Sequence, residues 1–214
     1  MRYLIVCGGK IDKEFGLNEI KTDGIDAIIA ADSGMDFLYE NGVTPDIIVG
    51  DFDSATTKAL DFFERKGQTE IHRLNPIKDD TDTEYAIRLA IREGARSIVV
   101  LGATGSRIDH VLGNISLLGI GLESKTDISI IDTNNRIRMA DKPVTIEKSA
   151  QYGRFVSLIA VTDDNEVSLR GFKYPVTDYS FDRFTSLGIS NEIVDDHALI
   201  DIHRGKFIII ESKD

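Results

Sequence analysis

The 214-residue sequence contains a single cysteine, Cys7, and no tryptophan. One cysteine excludes an intrachain disulfide, so we expect the protein to work in a reducing compartment. No stretch approaches the ~18 to 20 consecutive apolar residues that a membrane-spanning helix requires. The apolar run at the N-terminus is too short for a signal peptide. We therefore expect a cytoplasmic protein that does not associate with a membrane.

Basic residues are scarce relative to acidic ones. The formal net charge is −11, from 25 Lys and Arg against 36 Asp and Glu. This excess argues against a nucleic acid as the main partner, because its phosphates would be repelled. It suits a protein that holds metal cations or a cationic ligand. The hydrophobic content of 42% is that of an ordinary globular protein, and the length allows one large domain or two small ones.

The first half of the sequence alternates short apolar runs with helical patterns. Each apolar run is followed by a loop rich in Gly, Asp or Ser. The runs with their loops are YLIVCGGK, DAIIAADSG, PDIIVGDFDS, TEIHRLNPIKDDTD and SIVVLGATG. Continuous apolar strands that alternate with helices indicate a mostly parallel sheet with helices on both faces. We predict an α/β domain over residues 1–125.

The pattern changes after Lys125, where few helical windows remain. Short apolar runs follow one another closely, with turns such as TDDN and HRG between them. The runs are DISIID, RIRMA, VTIEK, FVSLIAV, EVSLRGF, HALIDIH and KFIIIES. This spacing is typical of an antiparallel sandwich or barrel. We predict an all-β sandwich domain over residues 126–214, and DISIID fits either domain.

Aspartates follow the ends of several predicted strands in the first half. They are Asp32, Asp51, Asp53, the segment Asp79 to Asp82, and Asp109. Ligands of parallel sheets bind beyond the carboxyl ends of the strands, where these acids would gather. Two like charges about 5 Å apart repel by roughly 3 kcal/mol at an effective dielectric constant of ~20. The pattern therefore predicts a cation, and oxygen ligands suit Mg²⁺, which proteins usually share with substrate phosphates.

Simpler interpretations of two of these acids stay open. Asp82 fits the N-cap of the following helix, and Asp32 fits a turn in ADSG. The histidines show no ligand spacing, although His110 adjoins Asp109 at a predicted helix start. Cys7 fits packing better than a nucleophile.

Several features suit phosphate binding. Glycines 8, 9, 102 and 105 leave backbone N–H groups accessible to an anion, and GATGSR leads into a helix whose N-terminus favours negative charge. Lys78 and Arg107 are the basic residues among these loops, and a surface ion pair stays open for Arg107. No GxxxxGK[ST] motif is present, which excludes a Walker-type site.

Four segments, taken together and in this order, resemble the catalytic domain of the thiamine pyrophosphokinases. They are ADSG (31–34), PDIIVGDFDS (45–54), KDDTDTEYA (78–86) and GATGSRIDHVLGN (102–114). TSLGISNE (185–192) is similar to the short Ser–Asn signature of the family's thiamine-binding sandwich domain. The resemblance implies transfer of pyrophosphate from ATP to the thiamine hydroxyl, giving thiamine diphosphate and AMP. It also implies a homodimer with the active site where the subunits meet.

The resemblance also implies roles for individual residues. The implied catalytic residues are Asp51, Asp53, Asp79, Asp82 and Asp109, of which the first three are also the implied Mg²⁺ ligands. The implied nucleotide contacts are Asp32, Lys78, Thr104, Arg107 and Asn114. Ser190 and Asn191 match the thiamine contacts. Family members often carry a bulky aromatic near thiamine, and without tryptophan the candidates here are Tyr179, Phe181 and Phe184.

Three other functions stay open at this point. Asp51 in a DxD[ST] element fits the nucleophile of an aspartyl-phosphate phosphatase, although such enzymes carry that element after the first strand of their core. GATGSR resembles the glycine turn of NAD(P) epimerases, but it follows the fifth predicted strand and lacks a third glycine after Arg107. The third alternative is a non-enzymatic metal-binding protein.

Overall fold

The computed structural model describes residues 1–52, 57–75, 77 and 79–214. They form two compact units, Met1–Thr133 and Asn134–Asp214. The sequence placed the boundary after Lys125, whereas the strand Asp127–Ile131 pairs with Ser97–Leu101 and so lies in the first unit. Within the described residues, no helix combines the length and the apolar character needed to cross a membrane.

The first unit is built on a parallel sheet. Its strands are β1 (Arg2–Val6), β2 (Ala27–Ala31), β3 (Ile47–Gly50), β4 (Glu70–Arg73), β5 (Ser97–Leu101) and β6 (Asp127–Ile131). Its helices are α1 (Lys13–Ile20), α2 (Gly34–Glu40), α3 (Thr57–Lys66), α4 (Asp82–Arg92) and α5 (Ile108–Ser124). The strands are ordered β6-β5-β1-β2-β3-β4, and each neighbouring pair is parallel.

Helices cover both faces of this sheet. One core contains Leu4, Ala30 and Ile48 of the strands, with Leu38 of α2 and Phe63 of α3. On the other face, the buried side chains of Ile87 of α4, Leu118 of α5 and Val100 of β5 lie together. The predicted parallel sheet between two helical layers is therefore confirmed.

The order of the strands creates a switch point between β1 and β5. From β1 the chain adds strands on one side as far as β4, and then β5 and β6 on the other. The loops after β1 and β5 meet there, because the Gly9 N–H donates to the Gly102 carbonyl at 2.8 Å. A Cβ atom at Gly9 would lie 2.3 Å from that oxygen, so only glycine fits. Such a crevice is where parallel sheets bind their ligands.

Helix α1 was not predicted from the sequence. It is eight residues long, and its N-cap is Asp12, whose carboxylate accepts a hydrogen bond from the Phe15 N–H at 2.9 Å. Short helices carry too few apolar positions for a clear period, so the cap is the stronger signal.

The second unit contains two antiparallel sheets. Its strands are β7 (Asn135–Ala140), β8 (Val144–Glu147), β9 (Phe155–Ala160), β10 (Glu166–Arg170), β11 (Val176–Ser180), β12 (Asn191–Glu192), β13 (His197–Arg204) and β14 (Phe207–Ser212). One sheet has the order β12-β9-β14-β7, and the other β11-β10-β13-β8. Their inner faces share one core, which includes Leu158 and Phe207 from the first and Leu169 and Ile200 from the second. The predicted all-β sandwich is confirmed.

A buried carboxylate joins β7 to β14. Glu211, whose exposure is 0%, lies opposite Arg136 in the ladder. The Arg136 guanidinium donates to both carboxylate oxygens, at 2.9 and 2.7 Å, and Arg138 donates to one of them at 2.8 Å. The Tyr152 N–H also donates to this carboxylate, at 2.9 Å. Each carboxylate oxygen thus accepts two hydrogen bonds, and the Glu211 carboxylate stabilises the pairing of β7 with β14.

We expect Glu211→Gln to lower the free energy of unfolding by about 3 kcal/mol, because two arginines then lose the buried anion between them. Urea unfolding of the full chain measures the change. Asp163→Asn is the matched control, since it breaks an exposed pair with Arg183 (3.3 Å) that contributes under about 1 kcal/mol. Equal losses in the two variants would contradict the role given to Glu211.

Candidate functional site

Three aspartates meet at the carboxyl edge of the parallel sheet. Asp32 follows β2, Asp51 follows β3, and Asp82 is the first residue of α4. Each offers one carboxylate oxygen, and these oxygens all lie within 4.8 Å of one another. All three side chains are half-buried. We call Asp32, Asp51 and Asp82 the carboxylate cluster.

Regular pairing brings the members of the carboxylate cluster together. Strands β2 and β3 are adjacent and parallel, with Ala31 opposite Val49, so the residues that follow them emerge side by side. Helix α4 packs against β1, β2 and β3, which places its first residue over the same edge. The cluster therefore follows from the sheet order and from the start of one helix.

Two left-handed residues shape the turns around the cluster. Asp32 has a φ of 48° and Phe52 a φ of 61°, a region that residues other than glycine adopt infrequently. The Asp32 N–H donates to the Val49 carbonyl at 2.8 Å, and the Leu74 N–H donates to the Gly50 carbonyl at 2.9 Å. The chain thus turns sharply just beyond β2 and β3.

The N-cap interpretation of Asp82 is wrong. Thr81 occupies that position, and its hydroxyl accepts the Glu84 N–H at 3.2 Å. Asp82 is not the N-cap, and its carboxylate lies in the carboxylate cluster, at the first turn of α4. Asp32 is both a turn residue and a member of the cluster. Its backbone carbonyl accepts the Met35 N–H at 3.2 Å in the turn, while its carboxylate lies in the cluster.

Cys7, at the end of β1, lies beside the start of α4. The Thr83 hydroxyl donates to its sulfur at 3.4 Å. Burial, reinforced by the charge of Asp82, raises the pKa of the Cys7 thiol to about 11. The thiol is therefore protonated near neutral pH, which fits packing and not nucleophilic chemistry.

The implied Mg²⁺ ligands were Asp51, Asp53 and Asp79, a set that differs from the carboxylate cluster. Asp79 is exposed and is not a member of the cluster. Asp53 and Lys78 lie outside the described residues, so their roles stay predictions. The sequence could have indicated that Asp82, and not Asp79, joins the carboxylate cluster, since Thr81 is a good N-cap and fixes where α4 begins.

The glycine loop after β5 is held by two side chains. The Asn114 amide donates to the Ala103 carbonyl at 2.8 Å, and the Thr104 hydroxyl donates to the Asp132 carboxylate at 2.9 Å. Gly102 has a φ of 67°, and a Cβ there would lie 2.3 Å from the Cys7 carbonyl oxygen. Asn114 and Thr104, both predicted nucleotide contacts, are thus tied to the loop itself. Sequence reasoning missed Asp132, although it too directly follows a strand, β6.

Arg107 and Asp109 form an exposed ion pair at the start of α5. The guanidinium donates to both carboxylate oxygens, at 3.2 and 2.7 Å. This contact, together with the N–H of His110 that donates to the carboxylate at 2.9 Å, lowers the pKa of Asp109 to about 2. The ion-pair interpretation of Arg107 is confirmed. Asp109 is not a member of the carboxylate cluster.

The thiamine candidates in the second unit differ in their surroundings. The Asn191 amide is buried and binds both backbone groups of Tyr174, accepting the N–H at 3.0 Å and donating to the carbonyl at 2.9 Å. Ser190 is exposed, has a φ of 59°, and donates its N–H to the Ser157 hydroxyl at 3.0 Å. Asn191 thus fixes the backbone beside which Ser190 lies at the surface.

The three aromatic candidates separate by burial. Phe181 is only 3% exposed and packs edge-on against Phe207, with ring centres 5.7 Å apart. Tyr179 and Phe184 are 40% and 92% exposed. Phe181 is therefore a core residue, whereas the other two present accessible rings.

Comparison with known proteins decides the family. A model of the thiamin pyrophosphokinase catalytic domain matches residues 21–131, and a model of the vitamin B1 binding domain of the same enzyme matches residues 143–207. The thiamine pyrophosphokinase of Bacillus subtilis (strain 168) is 35% identical over 188 residues, which are 87% of each chain. The chain belongs to the thiamine pyrophosphokinase family.

Solved structures of thiamine pyrophosphokinases agree with this assignment. The crystal structure of the Bacillus subtilis enzyme superposes with a TM-score of 0.89 at 32% identity, covering 100% of both chains. The Geobacillus thermodenitrificans enzyme gives a TM-score of 0.86 at 30% identity, covering 100% of this chain and 98% of the other. The predicted family, fold class and diphosphokinase activity are thereby confirmed. The phosphatase, NAD(P)-binding and non-enzymatic alternatives lose their support.

The pKa of Asp109 provides a test of the pair with Arg107. We expect Arg107→Gln to raise this pKa from about 2 toward its ordinary value of 3.8, because the main hydrogen-bond donor is lost. A carboxyl whose folded-state pKa is lowered stabilises the fold above about pH 4, and this contribution is lost as the pH falls toward 2. Carboxyl-carbon NMR titration measures both values. An unchanged pKa in the variant would contradict the pairing.

Proposed function

We propose that the carboxylate cluster of this thiamine pyrophosphokinase binds Mg²⁺ and, through it, the triphosphate of ATP. The observation that carries the proposal is the approach of three carboxylate oxygens to within 4.8 Å of one another. Without a cation, each pair repels by about 3 kcal/mol at an effective dielectric constant of ~20. Carboxylate oxygens are also the donors that this hard cation prefers, so the residues present fit the ion.

The reaction needs charge to be stabilised on phosphate oxygens while the pyrophosphoryl group moves from ATP to the thiamine hydroxyl and AMP leaves. Bound Mg²⁺ would supply the larger part of that stabilisation. Backbone N–H groups of the glycine loop and the N-terminus of α5 lie on the same sheet edge and suit the remaining oxygens. Asn114 and Asp132 hold this loop in place, and Arg107 stands at its end. We further propose that one carboxylate of the cluster accepts the proton of the thiamine hydroxyl.

Thiamine, which accepts the pyrophosphoryl group, is bound in this proposal by the second unit. The thiazolium ring of thiamine carries a permanent positive charge, which an acidic protein favours. Ser190 supplies an exposed hydroxyl, and Tyr179 and Phe184 supply accessible rings for stacking. Phe184, Leu187 and Ile189 also expose apolar surface of the kind that a second subunit covers. We therefore keep the homodimer with a shared active site, and the cytoplasmic location, as proposals.

Substitution of single aspartates tests the cluster. In assays with ATP, Mg²⁺ and thiamine, wild type should release AMP and thiamine diphosphate in equal amounts. Asp32→Asn, Asp51→Asn and Asp82→Asn should each lower kcat at least about 100-fold, because a ligand to the phosphate-bound cation is lost. Metal-free stability should stay equal or rise, because removing one of the three like charges relieves repulsion within the cluster.

Asp79→Asn and Asp61→Asn are the matched controls, since both aspartates are exposed and neither belongs to the cluster. Each should keep kcat within about threefold of wild type, as surface substitutions usually do. A loss in Asp79→Asn that equals the loss in Asp82→Asn would contradict the choice of ligands. ADP as the product would contradict the reaction itself.

The thiamine contact has its own test. Ser190→Ala should raise the KM for thiamine by about two- to tenfold, the worth of one hydrogen bond, and leave the KM for ATP unchanged. Ser186→Ala, which removes another exposed hydroxyl from the same segment, is the control. Steady-state kinetics with each substrate varied in turn gives both constants. A change confined to the KM for ATP would rule out Ser190 as a thiamine contact.

A further inference from the structure

Phe52 has an unusual backbone for its side chain. It immediately follows Asp51 and has a φ of 61°. A bulky aromatic residue is rarely found in this left-handed region, because its Cβ crowds the backbone. Such a conformation persists only where the surrounding structure enforces it, and these positions concentrate at functional sites.

The ring of Phe52 is anchored from two sides. It packs so closely on Gly50 that a Cβ there would lie 2.9 Å from the ring, and it contacts the first unit's core. The guanidinium of Arg73 lies 5.4 Å from the ring centre, within the range of a cation–π contact. Arg73 is itself paired with Glu64 of α3. The ring is thus held between the end of β3 and a cation fixed by a neighbouring helix.

The anchored ring packs on Gly50, which in turn lies against Asp32 of the carboxylate cluster. The Cβ position of Gly50 is 3.3 Å from the Cα of Asp32, so the ends of β2 and β3 pack without space for a side chain. The Gly50 carbonyl accepts the Leu74 N–H, which ties the same point to the end of β4. A change in the Phe52 backbone would therefore move Asp51 relative to Asp32.

We propose that Phe52 is a positioning residue for the metal site. Its anchored ring holds the left-handed turn that keeps the Asp51 carboxylate beside Asp32 and Asp82. The inference rests on the proposed function of the carboxylate cluster as a cation site. Phe52 itself touches neither substrate nor metal in this account.

The choice of replacement separates positioning from simple packing. Glycine adopts the left-handed region freely, whereas alanine does so at a cost. If the backbone conformation matters, Phe52→Gly should bind metal better than Phe52→Ala. If the ring only fills space, glycine should be no better, because it leaves the larger cavity and the more flexible chain.

The experiment is Mn²⁺ titration of the full chain without nucleotide, followed by electron paramagnetic resonance of the free ion. We expect Phe52→Ala to weaken Mn²⁺ binding about tenfold or more, with Phe52→Gly falling clearly between it and wild type. Phe62→Ala is the control, since it removes another ring beside a cation, Lys66 at 5.8 Å, and should bind as wild type. Mn²⁺ affinity that is equal in the glycine and alanine variants, or within twofold of wild type in both, would overturn the inference.

A second pair of variants applies if the small replacements fail to fold. Phe52→Leu and Phe52→Val both keep an apolar side chain, but a β-branched residue tolerates the left-handed region worse. Valine should therefore weaken Mn²⁺ binding more than leucine, and equal affinities would overturn the inference.

Asp51→Asn identifies a failure of the proposed function separately. If wild type binds no Mn²⁺, or Asp51→Asn binds it as wild type does, the cation site itself is wrong.

Discussion

Mutual repulsion among Asp32, Asp51 and Asp82 is the constraint around which the first unit is arranged. Their oxygens lie within 4.8 Å of one another, and side chains left to themselves would spread apart. Backbone elements prevent this: two adjacent parallel strands, two left-handed turns, and a helix whose start is fixed by Thr81. The fold therefore holds the acids together by itself, so the proposed cation site needs little reorganisation to bind its ion.

The loops that we propose to bind the phosphates are also fixed by close backbone packing and by polar side chains. Gly9 and Gly102 allow the turns after β1 and β5 to touch, and Asn114 and Asp132 bind the loop between them. In the second unit, the Asn191 amide hydrogen-bonds both backbone groups of Tyr174. These polar side chains thus fix the backbone at the proposed phosphate and thiamine sites. Catalysis by positioning and electrostatics suits such an arrangement.

Much of this was accessible from the sequence. Continuous apolar runs predicted the parallel sheet, closely spaced short runs predicted the sandwich, and four motifs predicted the family. Asp79 and Asp82 were both predicted as catalytic residues, and the start of α4 brings Asp82, but not Asp79, into the carboxylate cluster. Strand β11 escaped notice because VTDYS is mostly exposed, and Asp132 because its role depends on a contact with a residue 28 positions away. Glu211 likewise gains its meaning only from arginines that the fold brings opposite to it.

A crystal structure with a bound metal ion would test whether Asp32, Asp51 and Asp82 form a cation site. Crystals grown with Mn²⁺ and a non-hydrolysable ATP analogue would show the ion in an anomalous difference map. We expect a peak at bonding distance from carboxylate oxygens of Asp32, Asp51 and Asp82, with a second set of ligands from the phosphates. A peak bound by other residues, with these three carboxylates uncoordinated, would contradict it.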